Sequence, residues 1–266
     1  HGLGRPGQRG SRAMKMHLLS CGRLRMRKSI FLPAADRSET IELPVSSALL
    51  RHGQANVLFD TGCHPTVAED PDARWGGLAK LMVPIMQPGE HVLTGLAELG
   101  LAADDIDVVI NSHLHPDHCG CNAFFRKATF LAHAEELTAA RAPNSEAAGY
   151  LSADWDQPIP FDALTGERDV FGDGRVVLLP LPGHTPGSIG AMTQLDRSGT
   201  FLLAGDTVSL RETLDSGIVP RNTWDGDALL KSLTEVRRIE AAGATIICSP
   251  DAKQWATLRK GADAYD

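Results

Sequence analysis

Short apolar runs recur along the chain, and many of them end on a polar residue beside a glycine. Residues 14–20, 40–50 and 54–59 alternate or run apolar and read as strands, the last two joined by a turn at Arg51-His52-Gly53. Residues 107–110, 128–132, 175–181, 188–195, 200–204 and 245–248 read the same way. Helical spacing marks 90–99, with Val92, Leu96 and Leu99 on one face and a stop at Gly100. It marks 133–140, 252–259 and, most clearly, 225–243. There Leu229, Leu233, Val236 and Glu240 form a stripe flanked by Leu230 and Ile239, with Asp225 as cap and Gly243 as stop. Residues 122–125 look like the start of a further helix. Residues 66–88 read as an irregular insertion, and 141–174 as loops covering one end of the fold. Strands interleaved with helices, in two successive sets, predict an α/β or α+β arrangement of two sheets face to face with helices outside.

The chain is 266 residues long, enough to bury a substantial core. Residues 1–13 are rich in Gly and Arg without periodicity and read as a disordered tail or an expression remnant, which leaves 14–266 as one domain. A net charge of −7 and the lack of a long basic cluster argue against nucleic acid as a partner. The basic stretch Arg23 to Lys28 reads as a solvated hairpin or loop. No apolar run is long enough to cross a bilayer, and no hydrophobic leader is visible, so no membrane role is expected. The five Cys, without CxxC pairs, point away from a disulfide framework and toward a cytoplasmic setting.

The chemistry concentrates at strand ends. His113, His115, Asp117 and His118 crowd into six residues after the run 107–110. Asp60 follows the run 54–59, His184 sits in Pro-Gly-His-Thr-Pro-Gly, and Asp206 in Gly-Asp-Thr. Imidazole nitrogen and carboxylate oxygen suit zinc or a similar divalent cation. Each piece alone is weak, since a lone His184 would pass for a turn residue and a lone Asp206 for a cap. Together they form an ordered set.

The motif His113-Leu-His115-Pro-Asp117-His118, followed by PGHTPGS at 182–188, GDT at 205–207 and DTG at 60–62, resembles the metallo-β-lactamase superfamily. The likeness runs from about residue 15 to the end of the chain. It implies an αβ/βα sandwich with metals at one edge. It further implies that His113, His115 and His184 hold a first metal, that Asp117 and His118 hold a second, that Asp206 bridges the two, and that Asp60 orients a ligating loop. Asp117 would orient the nucleophile and pass a proton to the leaving group. Within the superfamily the chain is similar to bacterial N-acyl homoserine lactonases.

Two departures stand out. The His that completes the second metal site in the family falls where this chain reads Ser249-Pro250-Asp251, and no His follows His184. One zinc is therefore expected to bind tightly and a second weakly, with Asp251 either a substitute ligand or the N-cap of the closing helix. The tyrosine that the lactonases carry three residues after the bridging Asp is Ser209 here. His64 is a further candidate at the rim. The expected function is a metal-dependent, quorum-quenching type of hydrolase that opens a lactone by attack of metal-bound hydroxide, as a monomer or homodimer. The alternatives are a thioester or carboxylic ester hydrolase of the same fold, and a metal-impaired relative of low activity.

Overall fold

The computed structural model describes residues 13–266, so the expectation for the N-terminal tail falls, apart from Ala13, outside the described residues. The strands are β1 (Lys15–Arg27), β2 (Thr40–Arg51), β3 (Asn56–Phe59), β4 (Val83–Pro84), β5 (Val108–Ile110), β6 (Thr129–His133), β7 (Phe161–Leu164), β8 (Arg168–Asp169), β9 (Val176–Pro180), β10 (Ile189–Leu195), β11 (Gly199–Leu203) and β12 (Thr245–Ile247). The helices are α1 (Pro71–Trp75), α2 (Val92–Glu98), α3 (Pro116–Cys119), α4 (Ala134–Ala140), α5 (Ser152–Trp155), α6 (Arg211–Ser216), α7 (Gly226–Ala241) and α8 (Ala252–Thr257). Several 3-10 turns lie between them.

Two mixed sheets result. The larger has seven strands in the order β4-β1-β2-β3-β5-β6-β7, and the smaller five in the order β12-β11-β10-β9-β8. In the larger sheet β3, β5, β6 and β7 run parallel, and β1, β2, β3 and β4 pair antiparallel. In the smaller, only β11 and β12 are parallel.

The two-residue period of each strand sorts its side chains between layers. Val57 and Phe59 of β3, Val176 and Leu178 of β9, and Phe201 and Leu203 of β11 enter one cluster between the sheets. Leu58 points the other way, into the layer beneath α2. Leu202 does the same on the far side, beneath α7. The layers are therefore helix, sheet, sheet, helix, as expected. On α7 the buried stripe is Leu229, Leu233, Val236 and Ile239, and Asp225 caps it by accepting from the Ala228 N–H. Leu230 and Glu240 lie off that stripe; Leu230 is exposed and Glu240 pairs with Arg211.

The basic stretch is a hairpin segment, one of the two forms expected: Arg23–Arg27 make the outer half of β1 antiparallel to β2, Lys28 opens the next turn, and Arg23 and Arg25 pair with Glu42. Two expectations need correction. Residues 141–174 are more than covering loops: β7 extends the parallel part of the larger sheet and β8 edges the smaller. The insertion 66–88 folds into short helical turns and β4.

Parallel strands place their carboxyl ends on one edge. The residues after β3 and β5, and those after β9, β11 and β12, are the ones that carry the candidate chemistry.

Candidate metal centre

β5 stops at Ile110, and the chain turns through Asn111 and Ser112 into His113. His115 has extended backbone and caps α3, whose first residue is Pro116, the position where a missing N–H costs nothing. That short helix carries Asp117 and His118. His184 arrives after β9 and Asp206 after β11.

Three imidazole nitrogens converge. His113 Nε2 lies 3.1 Å from His115 Nδ1, and His184 Nε2 lies 3.2 Å from the same Nδ1. The opposite nitrogens are already occupied. His115 Nε2 lies 3.0 Å from the carbonyl oxygen of Ala148 and must donate to it. The Ser112 hydroxyl sits 2.7 Å from Asp60 Oδ2 and gives its proton there, so it accepts from His113 Nδ1 at 3.0 Å. His184 has the Asn222 backbone beside it. With one nitrogen of His113 and of His115 committed as a donor, their inward nitrogens are lone pairs in the neutral rings. Burial keeps all three rings neutral: it lowers His113 and His184, and it brings His115 down to about 4 with His184 adding to the effect. A set of facing lone pairs with no proton between them fits a cation, and His113, His115 and His184 form a group whose ligand atoms can reach one ion.

The second half is acidic. Asp206 Oδ1 is 3.2 Å from His118 Nε2, and its Oδ2 is 3.6 Å from His184 Nε2, so one carboxylate spans both halves. Oδ1 is buried and makes no hydrogen bond of good geometry, the condition of an oxygen awaiting a cation. His113, His118 and Asp206 form a second group with the reach to hold an ion. Asp117 Oδ2 is 3.4 Å from His118 Nε2. Burial opposes charge on His118, but Asp206, Asp117 and Asp60 outweigh it and raise its pKa well above the usual imidazole range. Burial likewise pushes Asp206 up, and His118, His184 and His115 bring it well below the usual carboxylate range.

Asp60 lies under this group. Its backbone is left-handed at φ 60°, and its Oδ1 accepts from Ser112 N–H at 2.7 Å. Its Oδ2 takes the Ser112 hydroxyl and His118 Nδ1, the latter at 2.8 Å. Thr61 and Asn111 both bond Asn122, which ties the turn after β3 to the His loop.

The three remaining candidates stand elsewhere. Asp251 caps α8, accepting from Lys253 and Gln254 N–H, and its other oxygen accepts from Arg211 N–H. His64 caps the 3-10 turn Pro65–Ala68 through Nδ1. Ser209 is buried, its hydroxyl 3.5 Å from the carbonyl oxygen of Asp206. Pro250 and Ser249 line the cavity with Asp117, His118 and Asp206.

Above the centre lies a cavity of about 700 Å³. Its walls are mostly apolar, with Leu24, Met26, Phe31, Leu81, Met82 and Trp224 among them. Several residues here escape sequence reasoning. Ala148 acts through its carbonyl, and Gly149 leaves room for His115, since a Cβ there would lie 3.1 Å from the ring and the backbone is at φ +92°. Tyr150 packs its ring 5.3 Å from that of His115.

Comparison with known proteins gives a consistent result. The sequence profile of the Metallo-beta-lactamase superfamily matches residues 40–248. The chain is 31% identical to the N-acyl homoserine lactonase AiiB of Agrobacterium fabrum, over 86% of this chain and 87% of that protein. It is 27% identical to the N-acyl homoserine lactonase AttM of Azorhizobium caulinodans, over 95% of this chain and 99% of that one. A crystal structure of an N-acyl homoserine lactone hydrolase, holding the product N-hexanoyl-L-homoserine at its catalytic metal centre, superposes with a TM-score of 0.86 at 24% identity, covering 95% of this chain and 99% of that chain. The fold, the profile match and the order of the His and Asp residues agree: the chain belongs to the metallo-β-lactamase superfamily.

Proposed function

We propose that the chain is a metal-dependent hydrolase that opens lactones of the N-acyl homoserine class. The observation that carries this reading is the placement of three converging imidazole lone pairs and the Asp206 carboxylate at the floor of an apolar cavity. The likeness to named lactonases over most of both chains supports it. His113, His115 and His184 would hold the tight ion, with the Asp206 carboxylate between His184 and His118. A divalent cation in such a set supplies Lewis acidity toward an ester carbonyl and a nucleophile from water at neutral pH, and imidazole-rich sites with one carboxylate suit zinc.

The chain's own residues do the rest. The apolar walls take the acyl chain and exclude water from the carbonyl. Asp117, at the cavity edge and beside His118, accepts the proton of the attacking water. It returns that proton to the ring oxygen as the lactone opens to a hydroxy acid. Asp60 fixes the ring of His118 from behind.

Pro250 favours a second statement about the metal. Pro250, whose ring offers no donor atom, lines the same cavity as Asp117, His118 and Asp206, and Asp251 is spent as a cap. A second ion would therefore have at most Asp117, His118 and Asp206 to itself, and would bind weakly.

The test is a substrate panel on zinc-loaded protein: N-acyl homoserine lactones with short and long acyl chains, unsubstituted lactones, simple esters and thioesters. Turnover highest on long-chain acyl lactones is expected, lost on chelation and restored by zinc. Turnover of thioesters with none of any lactone would reject the lactonase reading, and no turnover of any ester would favour a metal-impaired relative.

A further inference from the structure

Glu136 is the third residue of α4, which β6 delivers to the carboxyl edge of the larger sheet. It is fully buried. Its Oε1 accepts from the Leu114 N–H at 2.9 Å, and its Oε2 from the Gly187 N–H at 3.1 Å. Leu114 lies between His113 and His115. Gly187 lies three residues after His184. One carboxylate therefore spans the two loops that carry the three converging imidazoles, and those loops come from different sheets.

The contact is built on both sides. A Cβ at Gly187 would lie 2.2 Å from the Glu136 backbone nitrogen, so the loop closes onto α4 only because that position is glycine. Burial pushes the Glu136 carboxyl up, the Leu114 and Gly187 amides pull the other way, and among the described residues no cation pairs with it. Burying an unpaired carboxylate is expensive. Fold stability alone gives no reason for it, since an apolar contact would hold α4 against the loops at lower cost. Two N–H groups from two loops, however, need two acceptors on one rigid group. A glutamine would turn an NH₂ toward one of the amides.

We infer that Glu136 is a positioning residue for the His113–His115–His184 site: it sets the distance between the two ligand loops. The inference rests on the reading that these three His hold a metal. It gives Glu136 no contact with substrate.

The experiment compares the full chain with Glu136→Gln and Glu136→Asp. Three quantities are measured: zinc affinity by competition with a chromophoric chelator, the Tm of the metal-free proteins, and kcat and KM separately. Glu136→Gln is expected to weaken the tight zinc by about 10- to 100-fold, the range typical of residues that orient metal ligands. Its metal-free Tm should fall by only a few degrees, and kcat should drop more than KM rises. Glu136→Asp keeps the charge but shortens the reach, and should lie between parent and Gln. Unchanged zinc affinity in Glu136→Gln would overturn the inference. So would a metal-free variant that does not fold, since the role would then be structural. Failure of the parent itself to bind zinc would instead reject the metal reading beneath it.

Discussion

The Oδ2 of Asp60 lies 2.8 Å from Nδ1 of His118, on a residue whose backbone sits at φ 60°. Asn tolerates the left-handed region at least as well as Asp. Asp60→Asn therefore removes the charge while keeping the turn. The amide still meets Ser112, but it no longer stabilises a proton on the outer nitrogen of His118. A loss of about 10- to 100-fold in kcat/KM is expected, with little change in Tm. Steady-state lactone hydrolysis at matched zinc occupancy checks it; activity equal to the parent would show that Asp60 serves the turn alone.

Pro250 bears on metal number. Pro250→His adds an imidazole to the lining of the cavity that also holds Asp117, His118 and Asp206. Zinc per chain, measured by elemental analysis after equilibrium dialysis, should rise from near one toward two. A metal count equal to the parent's would mean that the Pro250 position does not point at the second site.

Asp251 makes the complementary prediction. Its oxygens hold the first amides of α8 and the Arg211 amide. Asp251→Ala should lower stability by about 1 kcal/mol, as loss of an N-cap does, and leave zinc stoichiometry unchanged. Denaturant unfolding and metal analysis of one preparation suffice. A fall in bound zinc with stability intact would make Asp251 a ligand after all.

Asp154 predicts a pH dependence. It is fully buried, and Arg74 bonds it through Nε at 2.9 Å and through Nη2. Burial raises its pKa to about 6, against the opposing pull of Arg74. The folded protein thus keeps a proton that the unfolded chain releases at the ordinary carboxylate pKa, and stability falls as pH rises between that value and about 6. The effect is worth at most roughly 3 kcal/mol for a shift of this size. Asp154→Asn should flatten this slope. Denaturant midpoints of chelator-treated parent and variant across that window test it; parallel curves would refute the assignment.

The parts of the site that are legible in the sequence are the ones announced by side-chain chemistry at strand ends. His113, His115, His184 and Asp206 stand after apolar runs, and parallel strand order brings such ends to one edge. Asp60 is readable for the same reason. Glu136 is not, because an acid in the first turn of a helix has an ordinary explanation in the helix dipole. Ala148 acts through a carbonyl, which no residue type betrays. β7 is hidden because Pro158 and Pro160 precede it and Asp162 interrupts its apolar character. It pairs with β6 through backbone hydrogen bonds that side-chain pattern does not record.

His115 and His184 are separated by 69 residues and belong to different sheets. An ion held by both turns the chain between them into a closed ring. By the loop-entropy relation for cross-links, such a ring removes on the order of 4 kcal/mol of freedom from the unfolded chain when the bond persists there. The ligands follow the strand ends rather than standing in the inter-sheet cluster, so an ion there would clasp the two sheets together at that edge. Zinc withdrawal should then do more than stop turnover: it should let the edge breathe, and amides after β5 and β9 should exchange with solvent sooner than those within the strands.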